Sequence, residues 1–252
     1  MTAATHPGLV RSHNEDAVAA DAQSGFAVLA DGMGGCNAGE VASRIAVDRV
    51  SSSLKAAVDQ NHRGQVDDTA AERLLAQHIS EANAAVYEAA RARSEYSGMG
   101  TTLVVAYWHG DRMTVGHVGD SRLYRLREGS LAQLTRDHSL AQDQIDDGLL
   151  SPAQARYSSQ RNVVTRAVGI EAQVKADLRS FAVAPGDLYM LCSDGLTDML
   201  TDEEIQQALE SAGPELRGAA DILLQQANAG GGRDNISVIV GRVQHAIREA
   251  RR

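Results

Sequence analysis

Apolar residues recur along this chain with two different periods, and the changes of period mark out its elements. Residues 8–30 read as short strands broken at 14–16 and 21–25, with 26–30 a continuous apolar run of the buried-strand kind. Helical spacing follows. Val47, Val50, Leu54 and Val58 fall on one face, preceded by Asn37 as a cap with Glu40 three residues on. The polar stretch 59–68 reads as a loop. A second long helix is expected from about residue 69 to 93, with Leu75, Ile79, Ala82, Val86 and Ala89 on its apolar stripe. The pattern then turns β-rich. Residues 102–108 are almost continuously apolar and predict a central strand. After the turn His109-Gly110-Asp111, segments 113–118, 122–127 and 131–134 read as a meander, with Glu128-Gly129 as a further turn.

Polar, helical sequence returns at 139–157. Ser139 and Ser151 are caps, Gly148 is a stop, and Pro152 sits where a helix accepts proline. Strands are expected at 174–183 and 188–193, joined across Pro185-Gly186. Thr201 with Glu204 forms a capping box, and Pro214 opens another helix that ends near Gly230. Residues 236–243 make the final strand, and the basic end, 248–252, reads as a solvated helix end. Hairpin-like connections argue for antiparallel sheets. Helices in pairs outside stacked sheets is the simplest packing, an α+β fold. No linker or repeat divides residues 1–252, so a single domain is expected.

Composition removes several functions. The net charge of −9 argues against nucleic acid as a partner. No run of about 18 apolar residues suggests a membrane span, and no secretory leader is visible. Cys36 and Cys192 are far apart, so neither a disulfide framework nor a cysteine zinc site is expected. The expected location is the cytoplasm, with Cys192 a small apolar filler.

The candidate chemistry lies in acids at strand ends. Asp31 follows the run 26–30 and opens Asp31-Gly32-Met33-Gly34-Gly35; alone it reads equally as a turn former or as a carboxylate aimed at a cation. Asp194 follows 188–193, Asp234 precedes 236–240, Asp120 follows 113–119, and Glu15 and Asp16 begin a short strand. If these ends meet at one sheet edge, the carboxylates need a counter-charge. The eight histidines show no zinc spacing, and no EF-hand loop is present. Carboxylates with a backbone carbonyl suit Mg²⁺ or Mn²⁺. Two such ions about 3.5–4 Å apart can share a water and make it a hydroxide near neutral pH, which is machinery for phosphate esters. Arg11 lies near the same edge. It reads either as a surface arginine or as the fork that holds two phosphate oxygens.

The ordered series Arg11-Ser12-His13-Asn14-Glu15-Asp16, Asp31-Gly32-Met33-Gly34-Gly35, Gly100-Thr101-Thr102, Gly119-Asp120-Ser121-Arg122, Asp137-His138-Ser139, Ser193-Asp194-Gly195-Leu196-Thr197-Asp198 and Gly232-Arg233-Asp234-Asn235 resembles the PPM or PP2C family of metal-dependent protein phosphatases, most of all its compact bacterial serine/threonine members. The resemblance runs from about residue 7 to 243. It implies a β-sandwich of two antiparallel sheets flanked by helix pairs. It implies hydrolysis of phosphoserine and phosphothreonine on proteins by a metal-bridged hydroxide, opposing a bacterial Ser/Thr kinase. It implies that Asp31 bridges two Mn²⁺ or Mg²⁺ ions, that the Gly32 carbonyl completes the first, and that Asp194 and Asp234 hold the second. Glu15 and Asp16 then orient metal-bound waters or bind directly, Asp120 with Asp194 matches a weaker third site, and Arg11 matches the phosphate-binding arginine. Catalysis is assigned on this basis to Arg11, Asp31 and Asp194. Residues 140–162 match a mobile flap beside the site, and a monomer is expected.

Two departures matter. Met33 stands where animal members carry a proton-donating histidine, and a thioether cannot supply that proton. Ser158-Ser159 replace a His-Pro common in similar flaps. Several motif residues carry plainer readings: His138 supports the fold, Thr101 and Thr102 start a strand, Asp198 anchors a loop, Ser121 and Ser193 lack the relay of a serine nucleophile, and Cys36 is inert filler. Two rivals remain at this level. One is a non-catalytic module that binds phosphoproteins or metal; the other is the same chemistry on anti-sigma-factor antagonists.

Overall fold

A computed structural model describes residues 1–35, 38–60, 66–211, 213 and 216–244. The chain runs β1 (Thr2–His6), β2 (Asp16–Asp21), β3 (Phe26–Met33), α1 (Ala38–Gln60), α2 (Asp68–Ala92), a 3₁₀ turn at Ser94–Tyr96, β4 (Gly100–Thr101), β5 (Leu103–His109) and β6 (Arg112–Val118). It continues through β7 (Arg122–Arg127), β8 (Ser130–Gln133), α3 (Leu140–Asp146), α4 (Pro152–Ala155), β9 (Asp177–Ala182), β10 (Leu188–Cys192), α5 (Asp194–Thr197), α6 (Asp202–Ser211), α7 (Leu216–Ala229) and β11 (Ile236–Arg242).

The apolar runs are strands buried on both faces, and alternation sorts their side chains between two cores. In β3, Ala27 and Leu29 point inward to meet Val104, Leu191 and Ile239 between the sheets. Phe26, Val28 and Ala30 point outward onto Val47, Val50 and Leu54 of α1 and Leu75 and Ile79 of α2. The other sheet repeats this arrangement, with Met190, Val238 and Val240 facing Ile205 and Leu209 of α6 and Leu223 of α7. One sheet is ordered β1-β11-β10-β7-β8 and the other β2-β3-β5-β6-β9, with β4 on β3. The pairings are antiparallel. The layers are therefore helix pair, sheet, sheet, helix pair, the α+β sandwich expected. Truncating a middle residue such as Leu29 to Ala would cost about 2–5 kcal/mol.

Helix starts follow local chemistry. The Asp67 carboxylate accepts the Ala70 N–H at 2.7 Å and opens α2. Ser151 and Gln154 form a reciprocal capping box with Pro152 in the first turn. Thr201 and Glu204 do the same for α6, at 2.8 and 3.3 Å. The expected cap Asn37, the helix opener Pro214, the filler Cys36 and the basic end 248–252 lie outside the described residues.

Three expectations need correction. Residues 8–15 form no strand; the first strand is β1, whose Thr5 hydroxyl meets the Ser237 hydroxyl at 2.7 Å. A short, half-polar edge strand of this kind carries no clear alternation. The segment 113–134 is no meander either. β6 belongs to one sheet and β7 to the other, and the chain crosses between them at Gly119-Asp120-Ser121. β9 and β10 are likewise in different sheets. Alternation shows which face of a strand is buried and not which sheet the strand joins, so it does not choose between them. Finally, Asp31 does not follow β3 but lies inside it, paired with Asp16 across the ladder, while Gly32 and Met33 pair with Thr101 and Gly100.

Candidate metal centre

The ladder, the crossing and the strand ends bring the predicted acids to one edge of the sandwich. Asp16 and Asp31 face each other across β2 and β3. Asp120 sits at the crossing from β6 to β7, Asp194 starts α5 directly after β10, and Asp234 lies just ahead of β11. The two sheets are tied here by the Ser193 hydroxyl, which donates to Asp16 Oδ2 at 2.9 Å and accepts the Ser237 N–H at 3.0 Å. Arg11 Nη2 donates to Asp234 Oδ2 at 2.8 Å. The Gly32 N–H donates to the Glu15 carbonyl at 3.1 Å. Arg11, Glu15, Asp16, Asp31, Gly32, Asp120, Asp194 and Asp234 are thus all placed at or beside this edge.

Behind them is a polar scaffold. The Asp31 N–H donates to Thr102 Oγ1 at 3.0 Å, and Thr102 Oγ1 meets Ser121 Oγ at 2.7 Å. Thr101 Oγ1 donates to the Asp31 carbonyl at 2.8 Å. Asn235 is a clamp. Its Nδ2 donates to the carbonyls of Pro7 and His13 at 3.0 and 2.8 Å, and its Oδ1 accepts the Glu15 N–H at 2.8 Å. Gly32 is required by close approach, since a Cβ there would collide with the Gly39 carbonyl. These supports were read from sequence only as strand-starting hydroxyls and a motif asparagine. Their partners lie far away in the chain, so no local signal marks them.

The electrostatics are those of carboxylates short of a counter-charge. Burial, then Asp16, Asp194, Asp120 and Asp234, push Asp31 well above the usual carboxylate range. Burial, then Asp120, Asp198, Asp234 and Asp16, do the same to Asp194. Asp16 is raised to about 6 and Asp120 to about 7, in both cases chiefly by burial. Burial raises Glu15 as well. Asp16 Oδ1 is buried without a hydrogen-bond partner. A buried acceptor left open, among acids that hold their protons too tightly, is the signature of a site made for a cation. The donors are all oxygens, which fits Mg²⁺ or Mn²⁺ and not zinc.

A second group, His117, His138 and Asp177, also brings ligand-type atoms within 4.8 Å of one another. It already has a cation. Arg166 Nη1 donates to Asp177 Oδ1 at 2.8 Å and lies 3.0 Å from His138 Nε2.

The segment carrying α3 and α4 covers one side of the acid edge. Beneath it is a cleft of about 600 Å³ lined by Asp120, Asp194, Asp198, Arg156, Arg161 and Asn162, among others. Arg161 Nη2 and Asn162 Nδ2 reach Asp198 Oδ2 at 3.4 and 3.1 Å. Asp198 therefore anchors this flap, a role wider than the local loop anchor expected of it. Tyr157 on the flap is 85% exposed and Leu149 70%.

Fold and site together define the class. Residues 10–224 match the model of the family described as Protein phosphatase 2C, and the chain belongs to that family. The chain is 39% identical over 237 residues to the serine/threonine protein phosphatase PstP of Mycobacterium tuberculosis, covering 94% of this chain and 43% of that protein. It thus spans less than half the length of this mycobacterial relative. It is 36% identical over 240 residues to the serine/threonine phosphatase stp of Listeria monocytogenes, covering 94% of this chain and 92% of that one. The crystal structure of the M. tuberculosis phosphatase superposes with a TM-score of 0.86 at 37% identity, covering 97% of this chain and 98% of that one. A structure of the PstP catalytic domain in complex with two manganese ions gives 0.85 at 36% identity, covering 97% of each chain. Among the described residues, no helix is long and apolar enough to cross a membrane.

Proposed function

We propose that this chain is a metal-dependent protein serine/threonine phosphatase, acting as one catalytic domain over residues 1–252. The observation that carries this reading is the convergence of Asp16, Asp31, Asp120, Asp194 and Asp234 at one sheet edge, the first four with raised proton affinities, beside the Arg11 guanidinium. The two manganese ions of the related PstP domain support a two-ion site. Asp31 and the Gly32 carbonyl would hold one ion; Asp31, Asp194 and Asp234 would hold the other. Asp120 with Asp194 would hold a weaker third, and Glu15 and Asp16 would bind or orient ligated waters. Mn²⁺ or Mg²⁺, when bound, supplies a water acidic enough to ionise near neutral pH and positive charge facing the phosphoryl oxygens.

The chain's own residues do the rest. Arg11 extends from the loop beside Asp234 and offers its fork to two phosphate oxygens. Its side chain is 56% exposed, so a phosphate on a protein surface can reach it. Asp31 and Asp194, fixed by Thr101, Thr102 and the β10–α5 junction, hold the charge pattern that aligns the phosphoryl group. Met33 has no proton to give. The substrates are phosphoserine and phosphothreonine on proteins, the opposing enzyme is a Ser/Thr kinase, and the chain works in the cytoplasm as a monomer. The test is a Mn²⁺ titration with a phosphoserine peptide. Turnover should rise from a chelated baseline near zero and saturate. Turnover that persists in excess chelator would sink the metal-dependent reading, and none at any Mn²⁺ concentration would favour the binding module.

A further inference from the structure

His138 is 2% exposed and stands outside the acid cluster, yet it touches the parts that frame Asp120. Its main-chain N–H donates to the Gly119 carbonyl at 3.0 Å, and the Gly119 N–H donates back to ring Nδ1 at 3.1 Å. Gly119 has φ +101°, and a Cβ there would lie 2.7 Å from Thr102 Cβ, so this turn has little freedom. The His138 carbonyl accepts the Thr165 N–H at 2.8 Å, and Leu140 N–H donates to the Val163 carbonyl at 2.9 Å. Ser139 pairs with Val164. The two ends of the flap segment therefore meet along residues 138–140 and 163–165, and His138, the first of them, also grips the turn that carries Asp120.

The ring's tautomer follows from its partners. An amide N–H can only donate, so Nδ1 is the bare nitrogen and the proton is on Nε2. Arg166 Nη1 lies 3.0 Å from Nε2 but directs its two protons to the Lys175 carbonyl at 3.0 Å and Asp177 Oδ1 at 2.8 Å. The Nε2 side faces Asp177 Oδ2 at 3.4 Å, a carboxylate paired with Arg166 at 2.8 Å. The His117 ring stacks on His138 at 4.7 Å and 13°. Burial, reinforced by His117 and Arg166, lowers His138 to about 4, which keeps the ring neutral at neutral pH.

We propose that His138 is a positioning residue that locks the Gly119-Asp120 turn to the base of the flap through its Nδ1 acceptor, so that Asp120 and the flap meet the acid cluster in one register. The inference rests on the reading of Asp120 as part of the cation site. A histidine that only filled space would not depend on which nitrogen accepts.

Two substitutions separate these roles. In His138→Asn the side-chain oxygen stands near the Nδ1 position and keeps the acceptor for Gly119. In His138→Gln the amide reaches the Nε2 position and loses it. Each variant is measured for the Mn²⁺ concentration giving half-maximal turnover of a phosphoserine peptide, for KM and kcat, and for hydrogen exchange at the Gly119 amide. The Gln variant should need about tenfold more Mn²⁺, the usual scale for a lost supporting contact, and should lose protection at Gly119. The Asn variant should stay within about twofold of the parent on the same scale. Equal effects, or a milder effect of Gln, overturn the proposal. Should the Gln variant fail to fold, ¹⁵N spectra of the parent ring decide: the Nε2–H tautomer supports the proposal and Nδ1–H overturns it. A parent protein without Mn²⁺-dependent turnover would defeat the phosphatase reading instead, and amide exchange and ring tautomer would still judge His138.

Discussion

Strand β10 has an aspartate at each end, and the two are treated in opposite ways. Asp187, ahead of the strand, receives Arg127 Nε at 2.7 Å and Nη2 at 2.6 Å, the Ala184 N–H at 2.8 Å and the Tyr189 hydroxyl at 3.1 Å. Burial pulls it upward, but those donors outweigh burial and hold it below the usual carboxylate range. Asp194, just past the strand, has Asp120, Asp198, Asp234 and Asp16 as its charged neighbours and is held well above that range. One end is neutralised by the chain's own residues. The other is left electrostatically incomplete, and only something from outside can complete it. Acids alone are not the mark of a site; buried acids without a paired cation are.

The largest test of this contrast is Asp194→Asn. Removing one of the proposed ligands should lower phosphopeptide turnover by about a thousandfold, since positive charge at the phosphoryl group contributes several kcal/mol. The cation-free fold should become more stable, by about 1 kcal/mol, because a repelling charge has gone. Steady-state kinetics and thermal melts in EDTA read both; near-parental turnover breaks the contrast.

At the opposite end, Arg127→Met strands Asp187, whose side chain is 1% exposed. Loss of the partner should cost roughly 2 kcal/mol, less than for a fully buried pair because water reaches Arg127. Turnover per folded molecule should not change. A melt showing no destabilisation would mean that the Arg127 pair contributes nothing to the fold.

The two ends should also answer pH with opposite signs. Asp16 at about 6 and Asp120 at about 7 bind protons more tightly folded than unfolded. Their contribution favours the folded state at low pH and is lost as pH rises through those values. Asp187 has a depressed value, so its contribution is present above the usual carboxylate range and lost only in acid. In EDTA, stability should therefore drop by about 4 kcal/mol between pH 5 and 8, and excess Mn²⁺ should cancel most of that slope. A flat profile in EDTA would show that the cluster is already neutralised internally.

The sequence made some of this legible for clear reasons. Capping boxes at Ser151 and Thr201 are local, so their residue types suffice. Asp120, Asp194 and Asp234 stood out because acids beside apolar strands conflict with burial. What stayed hidden depends on distant partners. Nothing near Thr102 indicates that its hydroxyl holds the Asp31 N–H, and nothing near Asp198 indicates that Arg161 and Asn162 come to it. The sheet change at Gly119 was also invisible, because the pattern of a strand shows which of its faces is buried and not which strand it pairs with. Asp31 is the intermediate case. Its importance was legible, but its place inside β3 opposite Asp16 was not, since Gly32, which reads as part of a turn, here extends the strand.

The bridge between Ser139 and Val164 has a consequence for how such a fold can diversify. The covering segment leaves and rejoins the sandwich at a single point, so it behaves as a cassette. Doubling the length of such a loop costs only about 0.6 kcal/mol of closure entropy. Its sequence can drift, lengthen or be grafted from a relative while the acids beneath it stay fixed. The choice of target can then change in evolution without renegotiating the chemistry.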